Sequence, residues 1–149
     1  MNNSSKAAVL LLLLILASLS GCSGTNSKDA SASAPASPEP ETLSLTEFTD
    51  RLENYFEYEP LHAGKPSPFR IHLSDLSDGS PVEQAEVTLA VRPTGSSQVA
   101  TQTVSRIGKV TGIYIAELTI PKAGDYDIEF HIKNAKLDER LPLSGFKVQ

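Results

Sequence analysis

From Phe69 onward the chain alternates apolar and polar residues with a period of two, and this limits its fold more than any other feature. Phe69, Ile71 and Leu73 alternate with Arg70 and His72, and Val87, Leu89 and Val91 with Glu86, Thr88 and Arg92. Tyr126, Ile128, Phe130 and Ile132 alternate with Asp127, Glu129, His131 and Lys133. Successive side chains of a strand point to opposite faces, so each run predicts a strand with one buried face and one wet face. Turn-forming residues separate the runs: Asp75 to Pro81, Arg92 to Ser97, and Pro121 to Gly124.

Further strands are expected near 43–48, 53–58, 98–104, 113–120 and 140–148. No segment sustains a 3.6-residue apolar period, although Leu45 to Leu52 has room for one helical turn. About seven or eight short strands with frequent turns define an all-β domain, an immunoglobulin-like β-sandwich over residues 42–149. Tyr126 stands at the head of a strand, straight after the Gly-bearing corner Pro121-Lys122-Ala123-Gly124-Asp125. In Greek-key sandwiches such a tyrosine bonds its hydroxyl to upstream backbone and pins the crossing between sheets. The plainer alternative is an aromatic core residue without that bond.

The start of the chain has a different character. Met1 to Lys6 is polar with one positive charge, and Ala7 to Leu19 is almost wholly apolar. That run falls short of the roughly 20 residues a membrane span needs and suits the core of a signal peptide. Leu19-Ser20-Gly21-Cys22 then follows the lipobox pattern, and Cys22 is the only cysteine in the chain. Residues 1–21 are therefore expected to be a lipoprotein signal peptide, with Cys22 the site of lipidation. Diacylglyceryl plus N-acyl chains exceed the two-chain requirement for stable membrane anchoring. A lone cysteine leaves no internal disulfide, so the fold must rest on its core. Position 23 is serine, not the aspartate that commonly retains lipoproteins in the inner membrane. The expected address is the cell envelope, the outer membrane facing the periplasm if the host is Gram-negative. Residues 22–41 comprise the cysteine and a Ser/Ala/Pro-rich stretch with no hydrophobic period, expected to be a disordered linker. As a flexible coil it reaches about 25 Å, which keeps the domain near the membrane.

The formal net charge is −5, and removal of Lys6 with the signal peptide makes it one unit more negative. An acidic domain with no basic cluster is a poor partner for nucleic acid. Three histidines, His62, His72 and His131, are the candidate metal ligands. A soft copper(I) site wants Met or Cys, and Met1 leaves with the signal peptide while Cys22 is lipidated. Zinc wants three or four converging ligands. Alternation puts His72 and His131 on wet faces of strands expected in opposite sheets, which leaves His62 with Glu57 or Glu59 as a weak remainder. The expectation is no metal site and no cofactor. Asp75, Asp78 and Ser80 form an acidic, serine-bearing loop without a placed base, and a nucleophile needs one within hydrogen-bond reach. The loop is read as a turn whose carboxylates cap backbone amides, and the protein as no enzyme. Tyr55-Phe56-Glu57-Tyr58 is either an exposed docking surface or a strand with Phe56 and Tyr58 partly buried.

The stretch Tyr58-Glu59-Pro60-Leu61-His62-Ala63-Gly64-Lys65-Pro66-Ser67-Pro68-Phe69-Arg70-Ile71-His72-Leu73 continues through an Asp-bearing turn to Pro81-Val82. It resembles the N-terminal immunoglobulin-like domain of periplasmic adaptor subunits (membrane fusion proteins) of heavy-metal-type RND efflux systems. Gly112-Ile113-Tyr114 and Pro121 to Tyr126 fit the same pattern, so the likeness spans essentially residues 43–149. A weaker likeness is to the YtkA-like and FixH-like extracytoplasmic β-domains. The first resemblance implies a non-catalytic module that acts in transmembrane efflux through contact with pump or adaptor components. The second implies a free-standing domain that binds a metal or small ligand directly. Such adaptors continue into a lipoyl-like domain, a helical hairpin and a β-barrel. The present chain is thus expected to be a free-standing relative of their first domain or the leading piece of a longer adaptor.

Overall fold

The computed structural model describes residues 41–149. Nine strands follow one another: β1 (Leu43–Phe48), β2 (Leu52–Tyr58), β3 (Pro66–Asp75), β4 (Glu86–Pro93), β5 (Thr101–Val104), β6 (Arg106–Ile107), β7 (Ile113–Thr119), β8 (Gly124–Lys133) and β9 (Asp138–Val148). They form two antiparallel sheets, ordered β1-β2-β3-β7-β6 and β5-β4-β8-β9. Leave out β1 and β5, and the orders β2-β3-β7-β6 and β4-β8-β9 are those of an immunoglobulin constant-type sandwich.

The alternation legible in the sequence sets what faces inward. Phe56, Phe69, Ile71, Leu73, Tyr114, Ala116 and Leu118 come from the five-stranded sheet. They meet Val87, Leu89, Val91, Ile128, Phe130, Ile132, Phe146 and Val148 from the four-stranded sheet. Phe56 lies at the centre, its ring 4.7 Å from Phe130 and 6.1 Å from Phe69 between centroids. Burying each such side chain contributes about 1.5–3 kcal/mol. Pro66 and Pro68 fall within β3, an inner strand, and would ordinarily break its ladder. They are tolerated because the pairing of β3 with β2 stops at Phe69, so that this end of β3 has only β7 beside it.

Nine strands replace the seven or eight expected, and the difference lies in the weaker segments. The segment near 98–104 starts at Thr101, and past Ser105 the chain crosses to the other sheet as the two-residue β6. No helical turn forms between Leu45 and Leu52. Instead the Thr49 hydroxyl accepts the amides of Arg51 and Leu52, at 3.2 and 3.1 Å, and closes a tight β1–β2 connection. Beyond Tyr58 the chain leaves its sheet. Leu61 bridges Val148 in parallel, and Ala63 donates to the Gln149 carbonyl at 2.8 Å. Residues 1–40, which hold the expected signal peptide, Cys22 and most of the expected linker, lie outside the described residues.

Candidate functional site

Two features of the surface have the makings of a binding site: an edge strand and a cleft between loops. The edge is β1. Its register with β2 sets Leu43 opposite Tyr58 and Leu45 opposite Phe56, so both leucines belong to the sheet's inner face. The four-stranded sheet does not extend over them, and they stay 37% and 41% exposed. Phe48 points to the other face and is 60% exposed. The aromatic run of β2 divides accordingly. Phe56 is fully buried, and Tyr58 stacks on Phe69 at 5.1 Å, where burial pushes its phenol pKa up. Tyr55 faces outward, edge-on to His72 at 5.2 Å, and donates to Glu57 at 3.1 Å.

The cleft, of about 410 Å³, lies at one end of the sandwich, between the β3–β4 and β8–β9 loops. Asp75, Ser80, Glu83, Gln84, Asn134 and Lys136 are among the residues that line it. Each wall is fixed by hydrogen bonds. The Tyr114 hydroxyl accepts the Ala85 amide at 3.0 Å and donates to the Val82 carbonyl at 2.8 Å. Asn134 donates to the Glu83 carbonyl at 3.0 Å and accepts the Lys136 and Leu137 amides. Arg51 reaches the Lys136 carbonyl at 3.0 Å. Gln84, between the two Tyr114 contacts, has φ 51°, the left-handed region that side chains with a Cβ rarely adopt.

The acidic loop forms the turn its composition implies. Asp75 accepts the amide and hydroxyl of Ser77 at 2.9 and 2.6 Å, and Asp78 accepts the Ser80 amide at 2.9 Å. The hydrogen bonds from Ser77 hold the Asp75 carboxyl below its ordinary value, and those from Ser80 do the same for Asp78. His72 sits in β3 and His131 in β8, in different sheets. His131 pairs with Asp138 at 2.7 Å, and this bond depresses the Asp138 carboxyl. His72 lies 3.9 Å from Glu57. Among the described residues no three of His, Cys, Asp and Glu gather as metal ligands.

The Tyr126 hydroxyl donates to the Lys122 carbonyl at 2.9 Å, the upstream bond of a tyrosine corner. Two residues have structural roles that no local pattern announces. Tyr114 reads as one more inward aromatic, and its partners are 29 and 32 residues away. Asn54 occupies an inward position of β2, fully buried, with neither amide atom hydrogen-bonded. No family model, curated protein or solved structure matches this chain.

Proposed function

We propose that the protein is a lipoprotein anchored to the membrane through Cys22, and that its sandwich is a non-catalytic module working by protein–protein contact. The part it plays in transmembrane efflux, beside an RND pump and its adaptor, rests on the resemblance of residues 43–149 to the adaptors' first domain. The observation that carries the contact reading is the exposed apolar edge at Leu43, Leu45 and Phe48. Soluble domains usually blunt such an edge, and a binding module uses it. The histidines give no rival focus, since His131 is engaged by Asp138 and His72 stands in the other sheet.

Membrane fractionation tests the anchor. The Cys22→Ser protein is expected to lose lipidation and leave the carbonate-washed membrane fraction, uncleaved or soluble. Normal processing and continued membrane retention would overturn the reading. Affinity purification of the full-length lipoprotein from detergent-solubilised membranes is expected to bring down an efflux pump or adaptor component. A second reading, a free-standing domain that takes a metal or small ligand, is favoured by the cleft beside Gln84. A Zn²⁺-dependent rise in melting temperature would promote it, and loss of that rise in His62→Ala or His72→Ala would put the metal at those histidines, outside the cleft. A site held at 100 times its dissociation constant stabilises by about 2.7 kcal/mol, enough to move Tm by several degrees.

A further inference from the structure

The four sheet edges of the sandwich are treated unequally. On β9, Pro142 removes a donor, the register shifts opposite Tyr126 and Ile128, and Leu61 and Ala63 cover the far end. β5 has four residues and β6 only two. Short strands, prolines, bulges and covering loops are the usual means by which an edge is kept from pairing with another chain. β1, six residues of sequence LSLTEF, has none of them and contains no proline, glycine, lysine or arginine; its one charge, Glu47, lies opposite Asn54 at the hairpin end, beyond the two leucines. Its leucines lie over uncovered space, and its backbone groups on the side away from β2 have no strand beside them among the described residues.

Along the β1–β2 hairpin the charge is one-sided, while Arg70 of β3 stands opposite Glu57 on the side away from β1. Glu41, Glu47, Asp50, Glu53, Glu57 and Glu59 fall on or next to the β1–β2 hairpin. The single base in that span, Arg51, is turned to the Lys136 carbonyl. Ser44 is paired with Glu57 and Thr46 with Tyr55, so short side chains stand between the open edge and the carboxylate of Glu57. The Tyr55 hydroxyl holds that carboxylate in place on the outer face.

We propose that β1 is a strand-addition site for an extended segment of a partner protein with alternating apolar and basic residues. This inference rests on the contact reading above and names the partner's chemistry. Apolar residues of the added strand lie against Leu43 and Leu45 and cover them. Basic residues on its other face, opposite Ser44 and Thr46, reach past these short side chains to Glu57 and its acidic neighbours. Main-chain hydrogen bonds supply affinity, and the alternation supplies specificity. A second copy of this chain is the poorer occupant, because antiparallel pairing of β1 with itself would bring two acidic hairpins side by side.

The test uses full-length protein in detergent and two fluorescent peptides, Lys-Val-Lys-Val-Lys-Val-Lys and the same sequence with Glu in place of Lys. The lysine peptide is expected to bind and the glutamate peptide not to. Leu45→Lys on β1 and Glu57→Gln on β2 are each expected to weaken binding by about tenfold or more, while Val104→Lys on β5 leaves it unchanged. Two substitutions of different kinds guard against one that merely unfolds the hairpin. Equal binding of both peptides, or binding indifferent to both edge variants, would overturn the proposal. So would sedimentation showing the protein alone as a dimer that Leu45→Lys disperses, since the edge would then belong to a second copy. If pump components still co-purify with both edge variants, the strand-addition site is lost and the contact reading survives.

Discussion

The tripeptide pattern Gly-x-Tyr occurs at two turns of this sandwich, Gly112-Ile113-Tyr114 in the β6–β7 hairpin and Gly124-Asp125-Tyr126 where the chain crosses to the other sheet, and the two do different work. Tyr126 forms a local clasp: its hydroxyl reaches four residues back, to Lys122, and stabilises a turn already shaped by Pro121 and Gly124. Tyr114 forms a long-range one. Its hydroxyl is wholly inside the molecule and serves both the Val82 carbonyl and the Ala85 amide, tying the β3–β4 connection to β7. The glycines differ in the same way. Gly112, at φ +78°, lets the chain approach Pro81 so closely that a Cβ would stand 2.6 Å from the proline's own, and its carbonyl accepts the Leu73 amide at 2.9 Å. A Cβ on Gly124 would meet only the Tyr126 ring, at an ordinary 3.5 Å. One pattern thus gives an independent corner in one place and a part of the core's polar frame in the other.

Substitution of the glycines should expose that difference most. Gly112→Ala combines a left-handed backbone with a steric clash against Pro81, and should cost about 4 kcal/mol in urea unfolding. Gly124→Ala meets backbone strain alone and should cost about 1 kcal/mol. Equal effects would mean that Pro81 yields freely and that the close approach is incidental. The tyrosines come next. Tyr114→Phe strands a buried amide and a buried carbonyl together, and should destabilise by about 3 kcal/mol. A loss of only ~1 kcal/mol would show that the Val82–Ala85 segment finds other partners on its own.

The same contrast explains what could be read from the residues alone. The all-β fold and the strands of clear alternation, β3, β4 and β8, were legible because alternation is a local signal. The corner at Tyr126 was legible too, since turn, glycine and tyrosine are adjacent in the chain. Tyr114 was not, because its partners are distant in sequence and nothing in Val82 to Ala85 announces a need for a hydroxyl. β1 was expected as a strand, but its character as an uncovered edge depends on how far the opposite sheet extends. The cleft likewise arises only when the β3–β4 and β8–β9 loops, apart in sequence, arrive at the same end. Asn54, a polar residue at a position whose neighbours Leu52 and Phe56 are core, follows from no pattern in the chain.

Tyr126→Phe should have a smaller effect than Tyr114→Phe, about 1 kcal/mol, the worth of a single hydrogen bond near the surface. Because the two tyrosines share no partner, the double variant should be additive within about 0.5 kcal/mol. A larger coupling would show that the two corners form one cooperative unit. The comparison would then need to be redrawn around the whole of β7 and β8.

Acid titration should produce the smallest and most local effect, confined to the Tyr114 end. Asp75 ends β3, Asp78 sits in the β3–β4 loop and Asp138 starts β9, beside the loop that forms the other wall of the cleft. All three carboxyls are held below their ordinary value when the chain is folded, chiefly by hydrogen bonds from Ser77, Ser80 and His131 respectively. Below the unfolded value, near 4, the unfolded chain binds protons that the folded chain still refuses. The stability these groups contribute is therefore complete above that value and lost as pH falls through the lower folded values. Solvent screens such exposed groups, so the loss should appear locally before the domain unfolds. In a pH series of amide NMR spectra, Ser77 and Ser80, whose N–H groups donate to Asp75 and Asp78, should shift below pH ~4. Gly64, whose amide donates to the Ile120 carbonyl at the Tyr126 end, should hold its position. If all three amides moved together, acid would be loosening the whole sandwich, and the two ends would not be independent.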